Sequence, residues 1–329
     1  HPEGSNQAYF ADFGWTGPPG APGASTLWTK VPGDVLDPDP PVTLAYANGQ
    51  GLVFTRTIPV DQLHMFTITD QVANKGAAPV QLAPYASVQR QGKPQLSPNL
   101  IIHEGAVGAM GDQQALNLLA YKDFKGVGER RAETKGGWAG LTDKYWLAAV
   151  IPDQGARVTN GYRYSQVDGV DVYEANYIGG LRTVAPGAAI SETRHLFAGA
   201  KKVSILKDYE ARFALPHFID AVDWGNLWFL TKPVLYLLSY FASLTGNFGV
   251  AILLRTLVVK IALFPLAQRG FESASRMKQL QPKLEEIRKL HEKDPAKQQQ
   301  ETMALYQREK VNPLAGCLPI LIQLPVFYS

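Results

Sequence analysis

Residues 249–266 read GVAILLRTLVVKIALFPL, an apolar run of membrane-spanning length that carries two cations, Arg255 and Lys260. At about 1.5 Å per residue, such a helix nearly crosses a hydrocarbon core of about 30 Å. A cation near the bilayer centre costs roughly 2.5–3.5 kcal/mol on insertion scales, and such charges usually face a bundle interior or a water-filled cavity. The run therefore predicts a transmembrane helix in which at least one of the two charges has a function.

Composition limits the classes of protein that this chain can be. The 329 residues are 46% hydrophobic and 19% charged, which fits a globular protein with added membrane segments. A net charge of +3 without a compact Lys/Arg run does not favour nucleic acid as a partner. The single cysteine excludes an intrachain disulfide. The chain starts at His1 without methionine or signal peptide and ends inside an apolar run, so we expect the protein to continue beyond both ends.

Residues 1–200 have the pattern of an all-β domain. Glycine and proline recur every few residues, and short strand-like segments lie between them, at 53–58, 64–69 and 145–151. Residues 64–69 alternate between polar and apolar side chains, whereas 145–151 is a continuous run that is typical of a buried strand. Many short strands with frequent turns predict one antiparallel sandwich.

The composition changes after residue 200. Residues 201–222 predict a helical connector, and residues 223–245 are rich in aromatic and leucine side chains with Pro233 in the middle. Because proline breaks or kinks a helix, we interpret 223–245 as an amphipathic helix lying on the membrane. A spanning helix is the alternative interpretation of this segment.

A first core transmembrane helix is predicted at 246–266, a helical hairpin at 267–311 and the start of a second core helix at 312–329. Met277, Leu280, Leu284 and Ile287 recur at spacings of three and four on the first helix of the hairpin. Asp294-Pro295 interrupts the pattern, and Met303 and Tyr306 then share one face of the second helix. The segment 268–310 holds ten Lys/Arg against seven Asp/Glu, which favours a cytoplasmic location and places the β domain across the bilayer.

Six strings of residues from 223 onward carry a resemblance to a known family: DWG at 223–225, GN at 246–247, FPL at 264–266, LQPK at 280–283, MALY at 303–306 and NPLAGCLPILIQLP at 312–325. In these strings the chain resembles the bacterial YidC/Oxa1/Alb3 family of membrane protein insertases. The stretch that contains the strings, 223–325, is about a third of the chain, and the strings occur in the family's order. The resemblance implies a bacterial inner-membrane protein with several spans, and a periplasmic β-supersandwich of the galactose-mutarotase type.

The resemblance also implies a mechanism without covalent chemistry. Family members enclose a hydrophilic groove, open to the cytoplasm and to lipid, that holds a positive residue, and Lys260 occupies that position here. Thr256 lies four residues earlier and shares its helical face. Arg255 lies roughly 140° around the helix from Lys260. A role in the groove, snorkelling and pairing with an acid on a further helix all stay open for Arg255.

Further residues take roles from the same resemblance. Four residues of the second core helix would form an apolar slide for the substrate: Cys317, Leu321, Leu324 and Phe327. Ordinary helix packing explains each of them equally well. The hairpin would receive substrate, ribosome or targeting factors on the cytoplasmic side. The partners implied are nascent membrane proteins, components of the Sec translocon and the lipid bilayer.

Two other functions compete with the insertase. His64, His103, Glu104, Glu192 and His195 could serve acid–base catalysis, but they form no recognisable motif. HExxH, Walker A, GxSxG and CxxC patterns do not occur, and we predict no catalytic residue, metal site or cofactor. The second alternative is a membrane-anchored periplasmic module that binds carbohydrate or protein.

Overall fold

The computed structural model describes residues 8–31, 41–92, 102–225, 227–292 and 294–309, except for the side chains of Arg269, Ser273 and Ala274. The chain divides into two compact units, His1–Asp223 and Trp224–Ser329. The first unit is all-β apart from short helical segments, and the second unit is helical.

The described part of the first unit contains fifteen strands. They are β1 (Tyr9–Thr16), β2 (Thr29–Lys30), β3 (Val42–Ala47), β4 (Leu52–Ile58), β5 (Met65–Asn74), β6 (Val80–Gln91), β7 (Gly105–Met110), β8 (Ala115–Ala120), β9 (Glu129–Lys135), β10 (Trp138–Thr142), β11 (Trp146–Ile151), β12 (Arg157–Val167), β13 (Val170–Gly179), β14 (Arg182–Val184) and β15 (Ala189–Ala200). The strands predicted at 53–58, 64–69 and 145–151 correspond to β4, β5 and β11. His64 itself lies outside β5, with a φ of 74° in the preceding turn.

The strands form two antiparallel sheets. One has nine strands in the order β2-β3-β4-β5-β15-β11-β10-β7-β8. The other has six, in the order β1-β6-β13-β12-β9 with β14 also paired to β6. Buried side chains from both sheets form a common core, as in Leu141 of β10 with Tyr162 of β12. The predicted sandwich is thereby confirmed.

One helical turn closes part of this core. Helix α1 (Phe124–Val127) inserts Phe124, which is fully buried, beside two tyrosines. The centre of the Tyr173 ring lies 5.3 Å from that of Phe124 and 5.0 Å from that of Tyr121, and both contacts are edge to face. Such edge-to-face pairs add to the stabilisation that burial of the rings provides.

The segment predicted as a connector belongs to the β unit. Helix α2 (Val203–Phe213) buries Leu206 and Tyr209 in a cluster with residues of the nine-stranded sheet. The Phe218 ring then packs edge to face on Trp138, at 5.0 Å. The unit therefore ends at residue 223 rather than at 200, because the apolar outer face of the sheet is covered by this segment.

Three charged side chains lie buried between the sheets. Asp70 accepts hydrogen bonds from Arg56 Nε at 2.6 Å, from Trp15 Nε1 at 2.8 Å and from Arg194. Arg56 and Arg194 also donate to backbone oxygens of β1, at Phe13 and Gly14. Burial raises the pKa of Asp70, but the Arg56 hydrogen bond and the Arg194 charge outweigh it and hold the pKa below its ordinary value. This cluster links the two sheets.

Replacing Asp70 should destabilise the protein strongly, because it leaves two buried guanidinium groups without their counter-ion. We expect Asp70→Asn to lower the free energy of unfolding by about 3–5 kcal/mol. The control is Glu129→Gln, which removes the exposed ion pair with Arg131 and should change it by less than about 1 kcal/mol. Urea unfolding of the full chain, followed by near-ultraviolet circular dichroism, measures both. Equal losses would contradict a structural role for the cluster.

The second unit contains four helices in its described residues: α3 (Trp228–Thr245), α4 (Phe248–Gln279), α5 (Gln281–Leu290) and α6 (Pro295–Arg308). Helix α3 starts at Trp228 and continues through Pro233, which the sequence analysis expected to interrupt it. Pro233 lies in the second turn, where its missing N–H removes only one hydrogen bond near the helix start.

Helix α4 is longer than the predicted spanning segment. It runs for 32 residues, continues through Pro265 and ends thirteen residues beyond residue 266. Its start is set by Gly246 and Asn247. Gly246 takes a φ of 64° that ends α3, and the Asn247 side chain accepts from the N–H of Gly249 at 2.8 Å and of Val250. The sequence pair GN thus encodes the turn between two helices.

Candidate functional site

Lys260 and Thr256 are exposed on one face of α4, and we call these two residues the polar face. The Thr256 hydroxyl donates to the Ile252 carbonyl at 2.7 Å, so its oxygen still has a lone pair to offer a neighbouring group. Among the residues that the structure describes, Lys260 forms no ion pair. The apolar side chains beside it, Leu257, Ile261 and Phe264, are also exposed.

Arg255 occupies a different face of the same helix. It is half-buried and lies one turn after Ala251, which is completely buried. Val259, four residues after Arg255, is half-buried as well. The 140° separation expected from the sequence is therefore present, and Arg255 does not join the polar face.

Helix α4 is the one helix of the described residues that is long and apolar enough to cross a membrane. Only 6% of its most apolar window is buried within the chain. Because an apolar surface of this size must be covered, lipid or further helices have to surround it. The polar face would then be covered by lipid or by further helices as well.

The predicted hairpin residues are divided between three helices. Met277 lies at the end of α4, Leu280 is buried where α4 passes into α5, and Leu284 and Ile287 are half-buried on α5. The apolar stripe predicted from the sequence is therefore interrupted at residue 280, where Gln281 and Pro282 start a new helix.

Helices α5 and α6 are antiparallel. Lys283 Nζ, near the start of α5, lies 2.7 Å from the carboxylate of Glu309, just after the end of α6. Tyr306 is half-buried on α6, whereas Met303 is 52% exposed and lies off the packed face. The cytoplasmic location of these helices stays a prediction. The slide residues Cys317, Leu321, Leu324 and Phe327, with all of 312–329, lie outside the described residues.

Aromatic rings and a lysine meet at the start of α3. The Lys232 ammonium lies 5.0 Å from the Trp224 ring and 5.9 Å from the Trp228 ring. Tyr236 and Tyr240 are exposed further along the helix. Trp, Tyr and Lys are the side chains enriched at membrane–water interfaces.

Three of the five residues considered for catalysis make structural contacts: His103, Glu192 and His195. The His103 ring bonds to the Ala106 carbonyl at 2.9 Å, and Glu192 pairs with Arg182 at 2.7 Å. His195 Nδ1 lies 3.1 Å from the Thr67 hydroxyl, and its ring packs on Phe213 of α2. No group of three or more His, Cys, Asp or Glu suited to a metal occurs in the described residues.

His195 should make the stability of the β unit sensitive to acid. Burial lowers its pKa from the ordinary 6.5, with Arg212 contributing in the same direction. The unfolded chain therefore binds a proton more readily than the folded one, so stability falls as the pH drops through about 6.5. We expect His195→Gln to lose less stability between pH 7 and pH 5 than the parent chain, measured as urea midpoints. An equal loss in both would contradict a contribution from His195.

Two features of the β unit were not predicted. A pocket of about 530 Å³ lies between β1 and β11, lined by the Arg90–Asp143 ion pair, Tyr9, Trp146 and other residues. Tyr145 and Trp146 were interpreted as part of a buried strand, but they are 63% and 58% exposed. The preceding Lys144, which stacks on Tyr145, was the sequence signal that this stretch begins at the surface.

Known sequences place the chain among membrane proteins. Residues 1–237 match the family described as YidC periplasmic domain, and residues 240–329 match the family described as 60Kd inner membrane protein. The membrane protein insertase YidC of Caulobacter vibrioides strain NA1000 / CB15N is 49% identical over 349 residues, which cover 100% of this chain and 57% of the relative. That of Methylorubrum extorquens strain PA1 is 43% identical over 338 residues, covering 100% and 55%.

Solved structures similar to the β unit are distant. A galactose mutarotase related enzyme from Lactobacillus acidophilus is 12% identical, with a TM-score of 0.36 over 52% of this chain and 70% of that one. A galactose mutarotase-like protein from Lactobacillus casei ATCC 334 is 8% identical, with a TM-score of 0.38 over 52% and 72%. The chain spans about half the length of the curated relatives it matches. On its sequence matches over both units, the chain belongs to the YidC family of inner-membrane proteins with a periplasmic domain.

Proposed function

We propose that the chain is part of a membrane protein insertase, whose substrates are nascent membrane proteins. The observation that carries this proposal is an exposed ammonium, Lys260, with the Thr256 hydroxyl one turn earlier on a helix of spanning length. The relatives bear the name insertase, which favours this function over the alternative of a binding module.

The polar face would act by electrostatic attraction. If it lies in a hydrated groove, the short polar tail of a substrate can enter there, and its acidic residues are drawn toward Lys260. Because water fills the groove, the tail crosses a shorter apolar path than the full bilayer of about 30 Å. The apolar segment of the substrate then leaves sideways into lipid along exposed apolar residues.

Other parts of the chain would assist this process. Cys317, Leu321, Leu324 and Phe327 would line the apolar exit path, on a second spanning helix of a multi-pass core. Helices α5 and α6 would form a cytoplasmic receiver for the ribosome or targeting factors, and the periplasmic unit would contact components of the Sec translocon. Arg255, half-buried on another face, would pair with a group on a neighbouring helix.

The electrostatic role of Lys260 can be tested by replacement in cells depleted of the complete protein. We expect Lys260→Ala to lower the insertion of a single-span substrate with an acidic tail by about fivefold, which corresponds to the loss of an attraction of about 1 kcal/mol. Lys260→Arg keeps the charge and should restore insertion, and a substrate with a neutral tail should be unaffected by either. Protease protection measures insertion. Equal insertion by the Ala and Lys proteins would contradict the electrostatic role.

Hydration of the groove can be tested separately with single cysteines, in a background from which Cys317 and every other native cysteine have been removed. We expect a membrane-impermeant maleimide added from the cytoplasmic side to modify Lys260→Cys and to leave Ile261→Cys unmodified. Ile261 is the matched control because it is the next residue, exposed, and about 100° around the helix. Equal protection of both cysteines would show that position 260 is dry and would overturn the groove.

A further inference from the structure

The β unit exposes a cluster of aromatic and apolar side chains at the rim of its nine-stranded sheet where strands β5 and β11 begin. The cluster, which we call the rim patch, consists of Leu63, Lys144, Tyr145 and Trp146. Tyr145 and Trp146 expose more than half of their surface, and Leu63 exposes 40%. The Lys144 ammonium lies 4.8 Å from the centre of the Tyr145 ring. Large apolar side chains that are grouped at a surface mark an interaction site.

The register of the strands brings these residues together. Strands β5, β15 and β11 are neighbours, and Met65 pairs with Phe197 while Trp146 pairs with Ala200. The start of β5, the end of β15 and the start of β11 therefore lie at the same rim of the sheet. With strands about 4.8 Å apart, Leu63 and Trp146 are separated by about 10 Å across the sheet.

The chain also leaves the β unit at this rim. The side chain of Asp223, the last residue of the unit, accepts from the His103 N–H at 2.7 Å, two residues before β7. Strand β7 starts opposite Thr142, four residues before Trp146. The Lys201 N–H donates to the Tyr145 carbonyl at 2.8 Å, which brings the residues after β15 to the same rim.

Chain length limits how far this rim can lie from the start of α3. Residues 224–227 separate Asp223 from Trp228, the first residue of α3. Five extended steps span at most about 17 Å between the two Cα atoms, whatever the arrangement of the two units. Helix α3 carries exposed Trp and Tyr side chains and leads directly to the spanning helix α4.

We propose that the rim patch contacts the headgroup layer of the lipid bilayer. Tyr and Trp rings combine an apolar body with a polar tip, and lysine can reach phosphate groups while its stem covers apolar surface. The exposed Lys202 adds positive charge beside the patch, whereas Lys201 interacts with the carboxylates of Asp223 and Glu104. The Asp143 carboxylate next to Lys144 is paired with Arg90. Anionic headgroups match this charge. The β unit would thus rest on the membrane through this rim.

The test measures contact with lipid directly, in the complete protein reconstituted in bilayers that contain phosphatidylglycerol. Single cysteines replace Trp146 or Leu63 in a background from which Cys317 and every other native cysteine have been removed, and they carry a bimane fluorophore. The control is Leu181→Cys, which is 70% exposed and lies next to β14. Arg182 of β14 pairs with Leu82 of β6. Leu82 and Arg90, which lies at the rim, are eight residues apart on β6, so about 25 Å separates the control position from the rim.

Lipids with a nitroxide on the headgroup should quench bimane at 146 and at 63 and leave the emission at 181 unchanged. Lys144→Glu should reduce the loss of emission at 146. If the nitroxide lipids quench bimane at 146 and 63 no more than at 181, the proposal is overturned. The same holds if another part of the protein covers these positions and keeps them from the lipid. The measurement reports position and not insertion of substrates, so its outcome is independent of the proposed insertase activity.

Discussion

The surroundings of α4 are constrained by one physical fact: a cation in an apolar spanning helix needs water or an acid beside it. The helix carries two such cations on different faces, and they have different surroundings within the described residues. Arg255 is half-buried, whereas Lys260 is exposed among apolar side chains. Placing the Lys260 ammonium in uniform hydrocarbon costs roughly 2.5–3.5 kcal/mol, a cost that polar surroundings at this part of α4 would remove.

The β unit also stabilises a charge away from water, but it does so with groups of its own. Asp70 is buried, and every contact around it is a donor from Arg56, Arg194 or Trp15. Such a closed cluster holds a charge permanently and gives it no access to a ligand. The exposed Lys260 ammonium has no ion pair in the described chain and can instead change partners. The difference between the two sites is the physical basis for treating the Asp70 cluster as structural and for proposing a functional role for Lys260.

Sequence patterns were sufficient where the signal is local. The alternation in β5 and the apolar run in α4 each depend on residues within a few positions. The polar face followed from the four-residue spacing of Thr256 and Lys260. These parts of the fold were predicted correctly, and the two polar residues share a helical face as expected, because helix and strand geometry translate spacing into direction without any knowledge of the rest of the chain. The role of these two residues stays a prediction.

Features that depend on distant contacts could not be predicted in this way. Helix α2 was taken for a connector because its own pattern does not reveal the apolar sheet face that it covers. Trp146 was taken for a buried residue because strand register, not local composition, decides which end of β11 reaches the surface. The same pairing of β15 with β11 and β5 assembles the rim patch from residues that are distant in sequence, since Leu63 and Trp146 lie about 80 positions apart. The rim patch is therefore formed by strand pairing and encoded by no short motif, so only the structure could reveal it as a surface with a function to test.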